Sequence, residues 1–153
     1  MLLGNMLLVY LVAYVIRYHK IYILSTIKSH VKEKEHREAF ETHKKIIFEW
    51  ALEIQCLQKS QRIIGLHASR GIAELLSLLL HRKKLVLAGF QLNHRWFKSE
   101  KVAEKLPEFE NKDEIIKLMV RLENICEVLS YGKQRSIEKV KKPLIYLENW
   151  RSF

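Results

Sequence analysis

The segment Gln91–Lys98 combines polar, basic and aromatic side chains more densely than any other part of this 153-residue chain. An arginine or lysine can hold a phosphate through charge-assisted hydrogen bonds, and an indole ring can stack on a base. An asparagine or a histidine can hydrogen-bond a base edge or a ribose hydroxyl. The residue types therefore predict a ligand-binding segment. Its predicted ligand-binding residues are Asn93, His94, Arg95, Trp96 and Lys98.

The same segment also has a purely structural interpretation. Aromatic residues in connecting loops often close the open end of a helical bundle, as Trp96 and Phe97 would do here. In that case Asn93 and His94 would supply hydrogen bonds to helix ends. Both interpretations stay open from the sequence alone.

The candidates for catalysis are histidines and arginines, because histidine transfers protons near neutral pH and arginine stabilises a phosphate that gains charge. His67 and Arg70 are close in sequence, and with His94 and Arg95 they would form a ribonuclease-like site. The sequence contains no glycine-rich phosphate loop, no Cys-x-x-Cys and no His-x-x-x-His. Neither a metal site nor a cofactor is predicted.

The composition indicates helices and a basic surface. Hydrophobic residues make up 48% of the chain and charged residues 29%, with only 5 glycines and 2 prolines to interrupt helices. The formal net charge of +10 favours an anionic partner, although an ordinary lysine-rich surface would give the same value. Cys56 and Cys126 fall on predicted apolar faces, which favours buried free thiols over a zinc or redox site.

Four stretches show apolar residues at steps of three and four, the spacing of helices that bury one face. They predict helices over about Lys32–Gln58 and Ile64–Lys83, a third that starts after Asn111 and a fourth that starts near Ser136. The predicted fold is all-α, an antiparallel bundle of four to five helices. In the first helix the residues predicted to face the core are Phe40, His43, Ile47, Trp50, Ile54 and Leu57. In the third they are Ile115, Leu118, Leu122, Ile125 and Leu129, and in the fourth Ile137, Val140, Leu144, Leu147 and Trp150.

Single residues predict several local features of these helices. Glu114 follows Asn111 by one helical turn, as in a capping box, and Gly132 predicts a left-handed helix end. Pro143 predicts a kink or a restart in the last helix. His36, in a charge-rich approach to the first helix, is predicted to be solvated.

Residues 1–30 differ from the rest of the chain, because they are almost wholly apolar up to Ile16 and contain no acidic residue. They predict an apolar N-terminal extension, followed by a helical domain over residues 31–153. Sixteen residues would span about 24 Å as a helix, short of the roughly 30 Å hydrocarbon core. A membrane anchor formed by residues 1–24 is the alternative to a tethered extension of a cytoplasmic protein.

Two phrases of the sequence resemble the HEPN family, small helical bundles linked to nucleotide and RNA chemistry. One is LHASRGIAELL at Leu66–Leu76, and the other is ENICEVLSYG at Glu123–Gly132. The resemblance covers roughly residues 32 to 150 and implies an HEPN-like bundle that pairs as a homodimer across a helix face. It also adds Tyr131 to the predicted ligand-binding residues.

The chain departs from the family in the motif that carries catalysis. Active members have an Arg-x4–6-His motif near the end of this helix, whereas here Cys126 stands at the arginine position and no histidine follows His94. The resemblance therefore implies a divergent, non-catalytic member that binds a nucleotide, RNA or a partner protein. A nucleotidyltransferase-type partner, or a place in a toxin–antitoxin or defence system, is what the family implies. The alternatives are a membrane-tethered interaction module and a divergent metal-independent ribonuclease.

Overall fold

The computed structural model describes residues 17, 20, 28 and 30–149, and every regular element among them is helical. Helix α1 comprises residues 30–54 and contains a π-helical turn at Ile46–Ala51. Helix α2 is Gln61–Arg82, and two short 3-10 helices follow at His94–Lys98 and Glu100–Lys105. Helices α3 and α4 are Lys112–Tyr131 and Ile137–Asn149. The all-α prediction is confirmed.

Contacts between α1 and α2 show that these helices are antiparallel. His36 near the start of α1 contacts Glu74 in the second half of α2, whereas His43, one to two turns further along α1, contacts His67. A Cβ placed at Gly71 would lie only 3.3 Å from the Cβ of His43, so α1 approaches the backbone of α2 closely. A glycine at this position is therefore what allows the two helices to pack closely.

The direction of α3 follows from the same kind of contact. Gln61, at the start of α2, donates to the carbonyl of Leu129 near the end of α3 (3.0 Å), and Ser69 donates to Glu123. The second and third helices are therefore antiparallel. The amide of Arg135, just before α4, donates to Oε1 of Gln61 (2.7 Å), so α4 begins beside the start of α2. Leu147, further along α4, lies near Gly71 in the middle of α2, so α4 runs in the same direction as α2 and antiparallel to α3.

The π-helical turn changes which face of α1 is buried. A π turn inserts one extra residue into the helical repeat and rotates everything after it. Ile47 and Ala51 are therefore buried, whereas Trp50 is 65% exposed and Ile54 is 77% exposed. The prediction that Trp50 and Ile54 face the core is wrong. The helix also ends at Ile54, so Cys56 lies in the connection and is exposed, against the prediction of a buried thiol.

The helix-end predictions for α3 are wrong in detail. Asn111 has a left-handed backbone conformation (φ 56°) and its side chain makes no capping hydrogen bond, so the predicted capping box with Glu114 does not form. Gly132 is extended (φ −84°). A glycine is required here for a steric reason instead, because a Cβ would lie 2.3 Å from the carbonyl oxygen of Val128. The last helix continues through Pro143 without the predicted restart.

The buried face of α3 is rotated slightly from its predicted position. Leu118 and Ile125 are half-buried, and the buried positions include a carboxylate, Glu123. The buried residues of α3 are Lys112, Ile115, Ile116, Met119, Leu122, Glu123, Cys126 and Leu129. In α4, Val140 and Leu147 are buried as predicted, but Ile137 is 47% exposed.

Of the described helices, α2 is the one long and apolar enough to cross a membrane, with a mean hydropathy of 1.5. Yet 61% of that apolar window is buried inside the bundle, as expected of a core helix, so it is no clear evidence of a membrane span. Nearly all of the predicted N-terminal extension, and Trp150 at the other end, lie outside the described residues.

Candidate functional site

The predicted ligand-binding segment forms the 3-10 helix His94–Lys98 and is held by one side chain at each end. Asn93 caps the helix, because its Oδ1 accepts a hydrogen bond from the amide of Arg95 (2.9 Å). Phe97 is buried in the core and anchors the other side of the turn. Trp96 is half-buried and packs edge-to-face on Phe90, with ring centres 6.4 Å apart. Asn93 and Phe97 thus have the structural roles of the alternative interpretation, while their neighbours remain available to a ligand.

His94 contacts a buried acid on α3. Its Nδ1 lies 3.1 Å from Oε1 of Glu123, and the same nitrogen lies 3.1 Å from Oγ of Ser69. The Ser69 hydroxyl also donates to Glu123. Because Nδ1 is engaged by these two partners, Nε2 is the ring nitrogen that a ligand can use. The buried carboxylate thus fixes the orientation and the tautomer of the imidazole, as in other His–carboxylate pairs.

The larger of two cavities beside this segment has a volume of about 560 Å³ and lies between α2 and the 3-10 helix. Its walls are mostly polar or aromatic. They include five residues predicted from the sequence to bind a ligand or act in catalysis, Arg70, Asn93, His94, Arg95 and Trp96. We call this space the larger cavity; His43, Glu74 and Gln91 also line it.

The smaller cavity, about 180 Å³, lies on the α3 side of the same segment. His94 and Arg95 line both cavities, so the two spaces adjoin along these side chains. Lys98 and Tyr131, the remaining predicted ligand-binding residues, line the smaller cavity, together with Ser69 and Glu123. Every residue of the predicted binding set therefore borders one of the two cavities.

The cations around the cavities differ in how far they are neutralised. Lys98 pairs with Glu127 at 2.6 Å. Within residues 30–149, Arg70 and Arg95 form no ion pair, and the nearby Glu74 instead contacts His36 at 2.5 Å. The larger cavity is therefore bordered by two arginines whose charge is not neutralised by a carboxylate of residues 30–149.

His67 lies apart from the cavities, in the α1–α2 interface. Its Nδ1 is 2.8 Å from Nδ1 of His43, so one ring must donate and the other accept. Burial lowers the pKa of both imidazoles, and the neighbouring Arg70 lowers each further, while Glu74 opposes the effect at His43. Of the catalytic candidates, the structure brings Arg70 and His94 to one cavity and places His67 beside His43, outside the lining of both cavities.

A second histidine pair occupies the same interface. The rings of His36 and His81 are stacked with centres 5.1 Å apart. His36 is mostly buried against Glu74, so the prediction that it is solvated is wrong. His81 is fully buried at the end of α2, and burial, together with the adjacent His36, lowers its pKa.

Sequence reasoning missed Glu123 and Ser69, which hold His94. The spacing of residues does indicate that Glu123 is buried, because it lies seven residues after Ile116 and three before Cys126, on the face that α3 buries. An acid at such a position needs hydrogen-bonding partners. Among the described residues, no group of three or more His, Cys, Asp or Glu side chains is arranged to hold a metal ion.

Comparisons with models of protein families, with curated proteins and with solved structures found no match to this chain. The resemblance to the HEPN family, the homodimer and the nucleotidyltransferase-type partner therefore stay predictions.

Proposed function

We propose that this chain is a helical domain that binds RNA or a nucleotide, with the phosphate held by Arg70 and Arg95 in the larger cavity. The observation that carries the proposal is the convergence of these two arginines, neither of them ion-paired within residues 30–149, on one polar cavity. An anionic ligand would gain charge-assisted hydrogen bonds there without displacing an existing partner.

The size and the remaining walls of the larger cavity are consistent with a nucleotide. Its volume of about 560 Å³ falls within the roughly 300–1,000 Å³ range of small-molecule sites. Trp96 offers an aromatic surface for a base, although Lys105 lies 5.2 Å from the centre of its ring and covers part of it. The amide of Gln91 and the free nitrogen of His94 can hydrogen-bond a base edge or a ribose hydroxyl.

The adjoining smaller cavity favours RNA over a single nucleotide. A chain of nucleotides could continue from the larger cavity past His94 and Arg95 to Lys98 and Tyr131. Tyr131 is 73% exposed, so its ring is accessible for stacking on a second base. Two adjoining sites for successive nucleotides would bind an oligonucleotide more tightly than a mononucleotide.

Binding of a labelled single-stranded RNA ten-mer and of ATP to the full chain tests the proposal. The double substitution Arg70→Ala and Arg95→Ala should weaken RNA binding at least about 100-fold, because each lost charge-assisted contact costs roughly 1.5–3 kcal/mol. The matched control is Arg62→Ala with Arg82→Ala, which removes two exposed arginines elsewhere on α2. Equal loss in both double variants, or no binding by the native chain, would contradict the proposal.

A second candidate function is metal-independent ribonuclease activity, which the contact between His94 and buried Glu123 favours. A carboxylate that orients an imidazole leaves the opposite nitrogen as a possible proton acceptor for a ribose hydroxyl. RNA cleavage in EDTA by the native chain, lost in both His94→Ala and Glu123→Gln while RNA binding persists, would support this candidate. Absence of cleavage by the native chain would remove it and leave the binding proposal intact.

A further inference from the structure

A groove between α3 and α4 combines an apolar floor with a basic rim. It consists of two adjoining cavities of about 270 and 490 Å³ that share Asn124, Ile125 and Lys142. Its apolar residues are Ile125, Val128, Leu129 and Ile145, and its basic residues are Arg121, Arg135, Lys139 and Lys142. We call this surface the α3–α4 groove.

The floor of the groove exposes side chains that a helical bundle would normally bury. Val128 is 43% exposed and Ile145 is 54% exposed, one on each of the two helices that form the walls. Together with half-buried Ile125 they form a continuous apolar strip rather than scattered surface residues. A continuous strip of this kind on a soluble surface is typical of an interaction site.

The rim of the groove has four positive charges and no negative one. No aspartate or glutamate lines either cavity, and within residues 30–149 none of the four basic side chains forms an ion pair. Arg135 also has a buried Nε atom without a hydrogen-bond partner in that range. The rim is therefore complementary in charge to a partner that supplies carboxylates.

We propose that the α3–α4 groove binds an acidic amphipathic helix of a partner protein. The apolar side of such a helix would cover Val128 and Ile145, and carboxylates on its flanks would pair with the basic rim. From Arg121 to Tyr131 α3 rises about 15 Å, enough to contact about three turns of a bound helix. This site is independent of the proposed RNA-binding site, because no basic residue is shared between them.

Two other occupants fit the groove less well. A second copy of the chain, paired through the same face, would bring its own four cations against these four. A nucleic acid would match the charge, but its sugars and phosphates would find no hydrogen-bond partners on the apolar floor. Of these three occupants, the acidic helix is the one that satisfies both the floor and the rim.

The test uses a fluorescent 18-residue probe peptide with leucine on one helical face and glutamate on the flanks, titrated against the full chain. Tight binding is expected, with at least about tenfold loss in Lys139→Glu with Lys142→Glu and in Val128→Asp with Ile145→Asp. The matched controls are Lys45→Glu with Lys59→Glu and Ile54→Asp, which make the same kinds of change at exposed sites elsewhere. They should bind the probe as the native chain does.

Several results would overturn the proposal. A lysine-flanked version of the peptide that binds equally well would show that charge plays no part. Loss of binding in the control variants would place the peptide elsewhere on the chain. A native dimer that Val128→Asp dissociates in sedimentation would assign the face to a second copy, and RNA binding that the Lys139 and Lys142 substitutions abolish would assign it to nucleic acid. Circular dichroism on each variant confirms that it is folded.

Discussion

The larger cavity and the α3–α4 groove are both basic, yet they are built for different partners. The cavity places two arginines, neither ion-paired among residues 30–149, above polar and aromatic walls, whereas the groove places four cations around exposed valine and isoleucine. Net charge alone cannot distinguish these sites, since both contribute to the overall +10. The residues that line each site besides the cations distinguish them, because a phosphate needs hydrogen-bond donors and an amphipathic helix needs an apolar surface.

The two regions also differ in which helices support them. The larger cavity depends on α2 and on the interface that α2 forms with α1, while the groove depends on α3 and α4. The smaller cavity lies where α2 meets α3. A substitution of Arg70, which lines the larger cavity and not the groove, should therefore weaken RNA binding and leave peptide binding unchanged.

The largest effect is expected from Gly65→Ala, at the point where α2 and α3 pack most closely. An added Cβ would lie 2.7 Å from the carbonyl oxygen of Cys126 and 2.7 Å from Oγ of Ser130, so α3 must move. We expect the free energy of unfolding to fall by about 2 kcal/mol, measured by urea denaturation. RNA binding should weaken in the folded variant, because Gly65 and Ser130 line the smaller cavity.

Gly71→Ala is the matched control for this change. It adds the same methyl group to the same helix and gains the same helical propensity, about 1 kcal/mol. Its added Cβ would lie 3.3 Å from the His43 Cβ, so α1 must shift by only a few tenths of an ångström, less than the 2.7 Å approaches at Gly65 demand of α3. Equal stability of the two variants would show that the close α2–α3 contact does not limit the fold.

Acidification should weaken the α1–α2 interface and leave the groove in place. Burial lowers the pKa of His43, His67 and His81 in the folded state, so the unfolded chain takes up protons first as the pH falls below about 6.5. Each such histidine reduces stability by up to about 1.4 kcal/mol per pH unit, from the unfolded pKa down to the folded one. Stability should therefore be highest above pH 7.

Urea unfolding between pH 8 and pH 5 measures this loss, and hydrogen exchange locates it. After correction for the intrinsic rate, amides of α1 should exchange faster at pH 5.5 than at pH 7.5. His43→Gln should flatten the pH dependence, and His30→Gln, at an exposed position, should not. Exchange in α1 that stays unchanged at pH 5.5 would mean that acid does not weaken the α1–α2 interface.

The smallest effect, and the finest distinction between the regions, is expected from salt. A single phosphate neutralised by the two arginines predicts that the logarithm of the RNA association constant falls with the logarithm of salt concentration, with a slope of about −0.7. Peptide binding in the groove should keep a part that salt does not weaken, because contact with the apolar floor is not screened. RNA binding that is unchanged by salt would contradict a phosphate held by Arg70 and Arg95.

Periodicity predicted the helices because it depends only on which residues are apolar, and the bundle buries most of them. It failed where the helix itself was irregular: one extra residue in the π turn turns Trp50 and Ile54 outward. It also failed at Asn111 and Gly132, whose residue types fit several end geometries. No local pattern signals the π turn, so these errors could not be avoided from one sequence.

The candidate site was predictable in part, for a similar reason. His94, Arg95 and Trp96 are adjacent in sequence, so a short polar and aromatic run identifies them. Ser69 and Glu123 are 54 positions apart and meet only because α2 and α3 are antiparallel. Pairings of this kind depend on the register between helices, which the spacing of apolar residues does not fix.

The most direct test of the account is a pair of NMR titrations of the full, isotope-labelled chain, one with the RNA ten-mer and one with the acidic peptide. The account predicts that RNA shifts the amide resonances of residues 91–98 and those around Arg70, and that the peptide shifts those of α4 and the second half of α3. RNA shifts that fall along the α3–α4 groove, with residues 91–98 unchanged, would contradict it.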